Sequence, residues 1–259
     1  MDAPIFAPII RTAPPSPSLD VPRVMRRARG LVRAHPFSLL AATLVFNAAP
    51  EVAVNAIHLD PSLSWMATLG VFSLTTIGSS VLGSFFVGWA ALTLADDQGG
   101  RRNVSSFEVW KRLVVMGPSL ILTALIFWLA VSFATVLLVV PGVILAAAWT
   151  LCVPAVVVER LSPLHALVRS AAITRGRRWP IVGLMGAVIL VSGAIIWLGQ
   201  ELVGARTVLV FGTRAPLYAD ILHPILAGAY LGMIGVVIAA IFVETAPSDR
   251  SAALSEVFS

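Results

Sequence analysis

Asn47, Pro50 and Glu51 are the residues in this sequence best placed to do chemistry, because they interrupt an otherwise apolar run. An ionisable group at such a position is costly unless it faces protein or water, so Glu51 marks a candidate pathway or binding site. Proline removes a backbone donor and kinks a helix. A broken apolar helix carrying an amide and an acid is the kind of discontinuity that lines transporter sites. Gln200, Glu201 and His223 extend this polar set, with Glu51, Glu201 and His223 expected near the outer ends of their segments. Other constellations carry less. Ser162 and His165 beside Glu159 resemble a triad, but on one short helix capping accounts for them better than nucleophilic catalysis. His35, His58, His165 and His223 fall at different depths, which argues against a shared metal site. No HExxH, GxSxG, P-loop or CxxC pattern occurs. Gly99 to Arg102 lacks the strand–helix setting of a phosphate cradle, and the single Cys152 excludes an intrachain disulfide. The expectation is a protein that is not an enzyme and uses no cofactor and no metal.

The elements that must position these residues follow from composition. The chain has 259 residues, 58% hydrophobic and 12% charged, whereas soluble domains carry about 25% charged residues. The apolar residues fall in blocks longer than the roughly 20 needed to cross a bilayer. The expected fold class is therefore all-α, a polytopic transmembrane bundle of about six spans. The expected spans are Pro36 to Ile57, Leu63 to Leu94, Val114 to Val140, Val143 to Val158, Pro180 to Leu202 and Asp220 to Val243. Residues 1–22 are proline-rich and read as a disordered tail, residues 23–245 as the membrane domain and residues 246–259 as a second tail, with one short helix from Asp249 to Phe258. Between the tail and the first span, Val24, Arg27 and Leu31 are spaced for a short helix whose arginines could lie against anionic headgroups. Ser105 or Ser106 could cap a further short helix, with Trp110 at the membrane interface. Small residues recur every fourth position at Ser80, Ser84 and Gly88, at Ser79 and Gly83, and at Gly228 and Gly232, which lets helix backbones approach closely.

The stretch from Val139 to Trp179 organises the chain. Pro141-Gly142 predicts a tight turn between the third and fourth spans, since both residues resist helix continuation. Pro154 predicts a kink. Glu159-Arg160 marks a return to water, and Ser162-Pro163 predicts the start of an interfacial helix with Leu164, Leu167, Val168 and Ala171 on its apolar face. His165 and Arg169 would share another face, and Gly176 would stop the helix before Trp179.

Pro141, Gly142, Trp149, Pro154, Glu159, Ser162, Ala166, Ser170, Thr174, Gly176 and Trp179 together resemble a bacterial membrane-protein family. It is the membrane domain found fused to glycerophosphoryl diester phosphodiesterases, together with its stand-alone uncharacterised relatives. The resemblance covers about 40 residues and implies an integral bundle of undefined activity. The chain departs from the pattern at Phe242-Val243-Glu244-Thr245-Ala246, where relatives tend to carry an arginine.

Charge placement sets the expected orientation. Sixteen of the 18 basic residues flank one side of the six spans, and Arg206 and Arg214 lie on the other. By the positive-inside rule both termini are expected in the cytoplasm of a bacterial inner membrane. Because the basic residues cluster beside apolar segments, the net charge of +5 points to anionic headgroups on the cytoplasmic side and not to nucleic acid. The leading functional expectation is a scaffold or accessory to a membrane or envelope process, with other membrane proteins as partners. The alternative is a small transporter or lipid-handling protein using the broken first span.

Overall fold

The computed structural model describes residues 19–56, 64–100, 105–211 and 223–246. The expectations for the tail before Leu19, His58, the Arg101-Arg102 pair, Arg214 and the terminal helix from Asp249 lie outside these residues. Helices account for about nine-tenths of the described residues, and no strand occurs among them. In order they are α1 (Val21–Ala34), α2 (Pro36–Thr43), a π-helical turn (Leu44–Ala48), α3 (Ala49–Ala56), α4 (Trp65–Gln98) and α5 (Ser106–Val115). There follow α6 (Gly117–Leu137), α7 (Val139–Trp149), α8 (Cys152–Glu159), α9 (Pro163–Ile173), α10 (Arg178–Phe211) and α11 (His223–Thr245). Five segments are long and apolar enough to cross a bilayer, and a sixth is reached if α1 and the helix from Pro36, bent by 95°, count as one span. The protein is an all-α polytopic membrane bundle.

The bend has a local cause. A residue before proline is pushed out of the α region, and His35 accordingly sits at φ −130°, ψ 50° between α1 and Pro36. Leu19 to Pro22, which the sequence assigns to the disordered tail, instead begin α1. Leu19 is buried, and Asp20 accepts a hydrogen bond from the Arg23 N–H at 3.1 Å as the N-cap. The apolar stripe of α1, Val24, Ala28 and Leu31, is buried in the core.

Small residues decide which helices are central. Half of the apolar window in α4 and in α11 is buried inside the bundle, against 17% in α6 and 18% in α10. A Cβ on Gly228 of α11 would fall 2.5 Å from the Ala48 Cα, and one on Gly235 would fall 2.8 Å from the Phe86 ring. The GxxxG pattern therefore serves contact within the chain. Trp110 of α5 is not the free interfacial anchor expected. It stacks on Phe46 at 4.6 Å between centroids and on Trp89 at 6.2 Å, because Ser105 caps α5 through the Glu108 N–H and its neighbour Ser106 bonds Ser38 at 2.8 Å.

The turn between α6 and α7 also differs from expectation. Leu138, extended at φ −157°, ψ 130°, makes the break. Pro141 and Gly142 lie inside the first turn of α7. There an N–H has no intrahelical partner, so proline is tolerated. Gly142 is required for a different reason. A side chain there would meet Thr135, whose Cα lies 2.8 Å from the Cβ position.

Candidate ligand pocket within the bundle

Two groups of sequence-marked residues remain distinct in the fold, one in the elbow at α7–α9 and one around Asn47. In the elbow, Pro154 does more than kink the span. Its ring excludes the carbonyl four residues back, that of Thr150, and it has no N–H to give. The helix stops at Trp149, which is half-buried, and restarts at Cys152. A break inside a membrane leaves backbone groups that no water can satisfy, and side chains satisfy them here. Thr150 Oγ1 donates to the Ala146 carbonyl at 2.6 Å. Ser170 Oγ donates to the Ala148 carbonyl at 2.8 Å and accepts from the Leu151 N–H at 3.1 Å, and the Thr174 hydroxyl, 2.9 Å from the Ser170 carbonyl, lies 3.2 Å from the same Ala148 carbonyl. Both hydroxyl residues are fully buried.

This corrects the expected face of α9 in part: Leu167 is buried as expected, but Leu164 and Val168 are not. Ala166, Leu167, Ser170 and Thr174 are buried, while Leu164 and Val168 are exposed, because the broken span demands hydroxyls where an apolar face was expected. Arg169 turns away from His165 and forks onto Glu159, with Nε–Oε2 at 2.9 Å and Nη2–Oε1 at 3.1 Å. Ser162 occupies the N-cap position, but its Oγ bonds His165 Nδ1 at 2.7 Å. Glu159 is held by Arg169, and no acid among the described residues is paired with His165. Gly176 stops the helix at φ +80°, a conformation that glycine adopts without strain, and Trp179 lies exposed at the start of α10. Each marked residue of the elbow holds the architecture.

Asn47 and Glu51 are different. Pro50 would be expected to break the span, yet the helix continues through a widened turn in which the Ala49 N–H reaches back to the Leu44 carbonyl. Such π-turns are frequent at functional sites. The turn carries Asn47 about 16 Å along the helix axis past Pro36 by the rise of 1.5 Å per residue. Asn47 is 4% exposed and its Nδ2 has no hydrogen-bond partner. An unpaired buried amide costs about 1–3 kcal/mol, and Asn47 is among the residues that line a cavity.

That cavity has a volume of about 390 Å³, within the range of small-molecule sites. Asn47 and Glu51 line one side, Thr75, Thr76, Ser79, Ser80, Gly83 and Val87 of α4 a second, and Leu231, Ile234, Gly235 and Ile238 of α11 a third. Two hydroxyls are turned to their own helix, Thr75 to the Val71 carbonyl at 3.0 Å and Ser80 to the Thr76 carbonyl at 2.8 Å. The wall is thus polar on two sides and apolar on the third, with Glu51 the one charge among the described lining residues. The sequence marks Asn47 and Glu51 but reads Ser79, Ser80 and Gly83 only as a packing face. The clue was their helical register with one another, opposite a span that already held an amide. Glu201 lies exposed on α10, and the side chains of Gln200 and His223 lie outside the described residues. Compared with known proteins, the chain matches no protein-family model, no curated protein and no solved structure.

Proposed function

We propose that this chain is a non-enzymatic, multi-pass protein of a bacterial inner membrane that binds a small polar or amphipathic ligand in the Asn47–Glu51 pocket, as a transport or lipid-handling protein does. The observation that carries this reading is the buried, unpartnered amide of Asn47, a residue that lines a cavity of about 390 Å³. A ligand there offers an acceptor to Asn47 and a donor or cation to Glu51, and it rests its apolar part on α11. Replacing Asn47 with leucine is expected to stabilise the empty protein by about 1–2 kcal/mol, since it removes an unsatisfied amide at similar volume. Thermal unfolding in mild detergent measures this, and a clear loss of stability would sink the pocket reading. Glu51→Gln is expected to fold normally yet behave like a deletion of the gene in the cell. Wild-type behaviour would count against a pathway through Glu51.

Orientation belongs to the same proposal. Arginines on α1, α5 and α9 and at the start of α10 gather at one end of the bundle, which supports placing both termini in the cytoplasm. An alkaline phosphatase fused at Gly212 should then be active, and an inactive fusion overturns the topology. A second reading, a scaffold working through its cytoplasmic face, is favoured by the exposed Arg26, Arg29 and Arg33 of α1. Those arginines suit anionic headgroups or an acidic partner. Recovery from detergent with no partner bound weakens that reading. Kinship with the phosphodiesterase-linked membrane domains is likewise our inference. It is supported by the way Pro154, Glu159, Ser170 and Gly176 each meet a structural need.

A further inference from the structure

We infer that Arg177 forms an anion site for a phosphate group at the basic end of the bundle, separate from the intramembrane pocket. Arg177 is 9% exposed, its Nε is buried without a hydrogen-bond partner, and no carboxylate among the described residues lies within 4.0 Å of it. A guanidinium cannot shed its proton to escape burial, and an uncompensated buried charge is strongly unfavourable. Among the described residues none supplies that compensation, and there is room for a ligand to do so. Arg177 borders a cavity of about 550 Å³ with Leu19, Asp20, Arg23, Glu244 and Thr245.

The two acids in that wall are paired with arginines, although the buried Glu244 Oε2 accepts no well-aligned hydrogen bond. Asp20 accepts from the Arg23 N–H and pairs with Arg23 Nε at 3.0 Å. Glu244 lies 2.8 Å from Arg27 Nη2 and 3.5 Å from Arg23 Nη1. Three arginines thus stand against two carboxylates, and the surplus charge is that of Arg177. It also immediately precedes α10, whose first N–H groups have no intrahelical acceptor and whose dipole favours an anion there. A guanidinium fork matches two oxygens of a phosphate. The exposed Trp179, two residues on, is a residue type that sits at the headgroup level. The ligand chemistry is therefore a phosphate oxyanion, which either an anionic lipid headgroup or free phosphate supplies.

The test uses the full-length protein, delipidated in dodecyl maltoside at constant ionic strength. The melting temperature is followed against inorganic phosphate, dioctanoyl phosphatidylglycerol and phosphate-free dioctanoylglycerol. A saturable rise with the phosphate-bearing lipid and none with dioctanoylglycerol is expected. Arg177→Gln should weaken the half-saturating concentration by about tenfold or more, and Arg29→Gln, on the exposed face, by less than about twofold. A rise with lipid alone assigns the headgroup, and an equal rise with inorganic phosphate assigns the free anion. Absence of any rise in the wild type, or equal responses in the wild type and Arg177→Gln, overturns the site. So does an Arg29→Gln loss as large as that of Arg177→Gln. If Arg177→Gln does not accumulate, Arg177→Lys carries the test. It keeps the charge and loses the fork, so an intermediate affinity upholds the site and an unchanged one overturns it.

Discussion

Gly228→Leu is expected to collapse the bundle in mild detergent, with a stability loss of about 3 kcal/mol or more. The reason is that its neighbour is backbone. A Cβ at this position would lie 2.5 Å from the Ala48 Cα, 2.6 Å from its nitrogen and 2.7 Å from its Cβ. No rotamer change relieves such a clash, so α11 would have to leave the π-turn. That movement would also open the pocket, since Asn47 precedes Ala48 and Leu231 follows Gly228 by less than a turn of helix. Gly183 of α10 is the natural control, because a Cβ there meets nothing within 4 Å. Gly183→Ala should stabilise by about 0.5–1 kcal/mol through the lost freedom of glycine. Thermal unfolding and gel-filtration profiles of the two variants decide the matter. A Gly228→Leu protein as stable as wild type would mean that α11 does not pack on the π-turn.

Ser170→Ala should cost about 2–3 kcal/mol, although it removes one oxygen atom. That oxygen accepts from the Leu151 N–H and donates to the Ala148 carbonyl at the break between α7 and α8. Without it the Leu151 N–H has no partner in a region free of water, and Thr174 alone is left for Ala148. Ser162→Ala is the contrast, because the Ser162 hydroxyl is engaged only with His165 at the exposed start of α9, and a change below about 0.5 kcal/mol is expected there. If the two serine variants melt together, the break is satisfied by some other group and the role given to α9 is wrong.

The membrane bundle was legible in the sequence because long apolar blocks have few other uses. Boundaries tied to glycine and proline were also legible where one residue decides the backbone, as at His35-Pro36 and Gly176. What failed was inference from proline and glycine to a turn when tertiary contact supplied the cause. At Pro141-Gly142 the glycine answers to Thr135 across the hairpin, and the turn falls at Leu138. The apolar face of α9 failed for a related reason. Periodicity assumes that a buried face is apolar, whereas Ser170 and Thr174 are buried because a distant proline broke another helix. Asn47 and Glu51 were legible as polar residues out of place. Their partners on α4 were not, since a small hydroxyl residue reads equally well as packing or as lining. Arg177 was hidden among Arg175 and Arg178; the Arg178 Nε is likewise buried without a partner, and Arg177 differs in being buried as a whole residue.

The single extended residue at Leu138 bears on how this chain enters the bilayer. Val136 to Val140 are all large and apolar and all more than 60% exposed, so the tip between α6 and α7 carries no hydrophilic loop to be hauled across. During biosynthesis the pair can therefore slip in as one closed hairpin, both legs together and from one side. Its connection then reaches the side of the opposite compartment with no polar segment to carry across. From that compartment the tip is a greasy cap that offers no handle to proteases or antibodies.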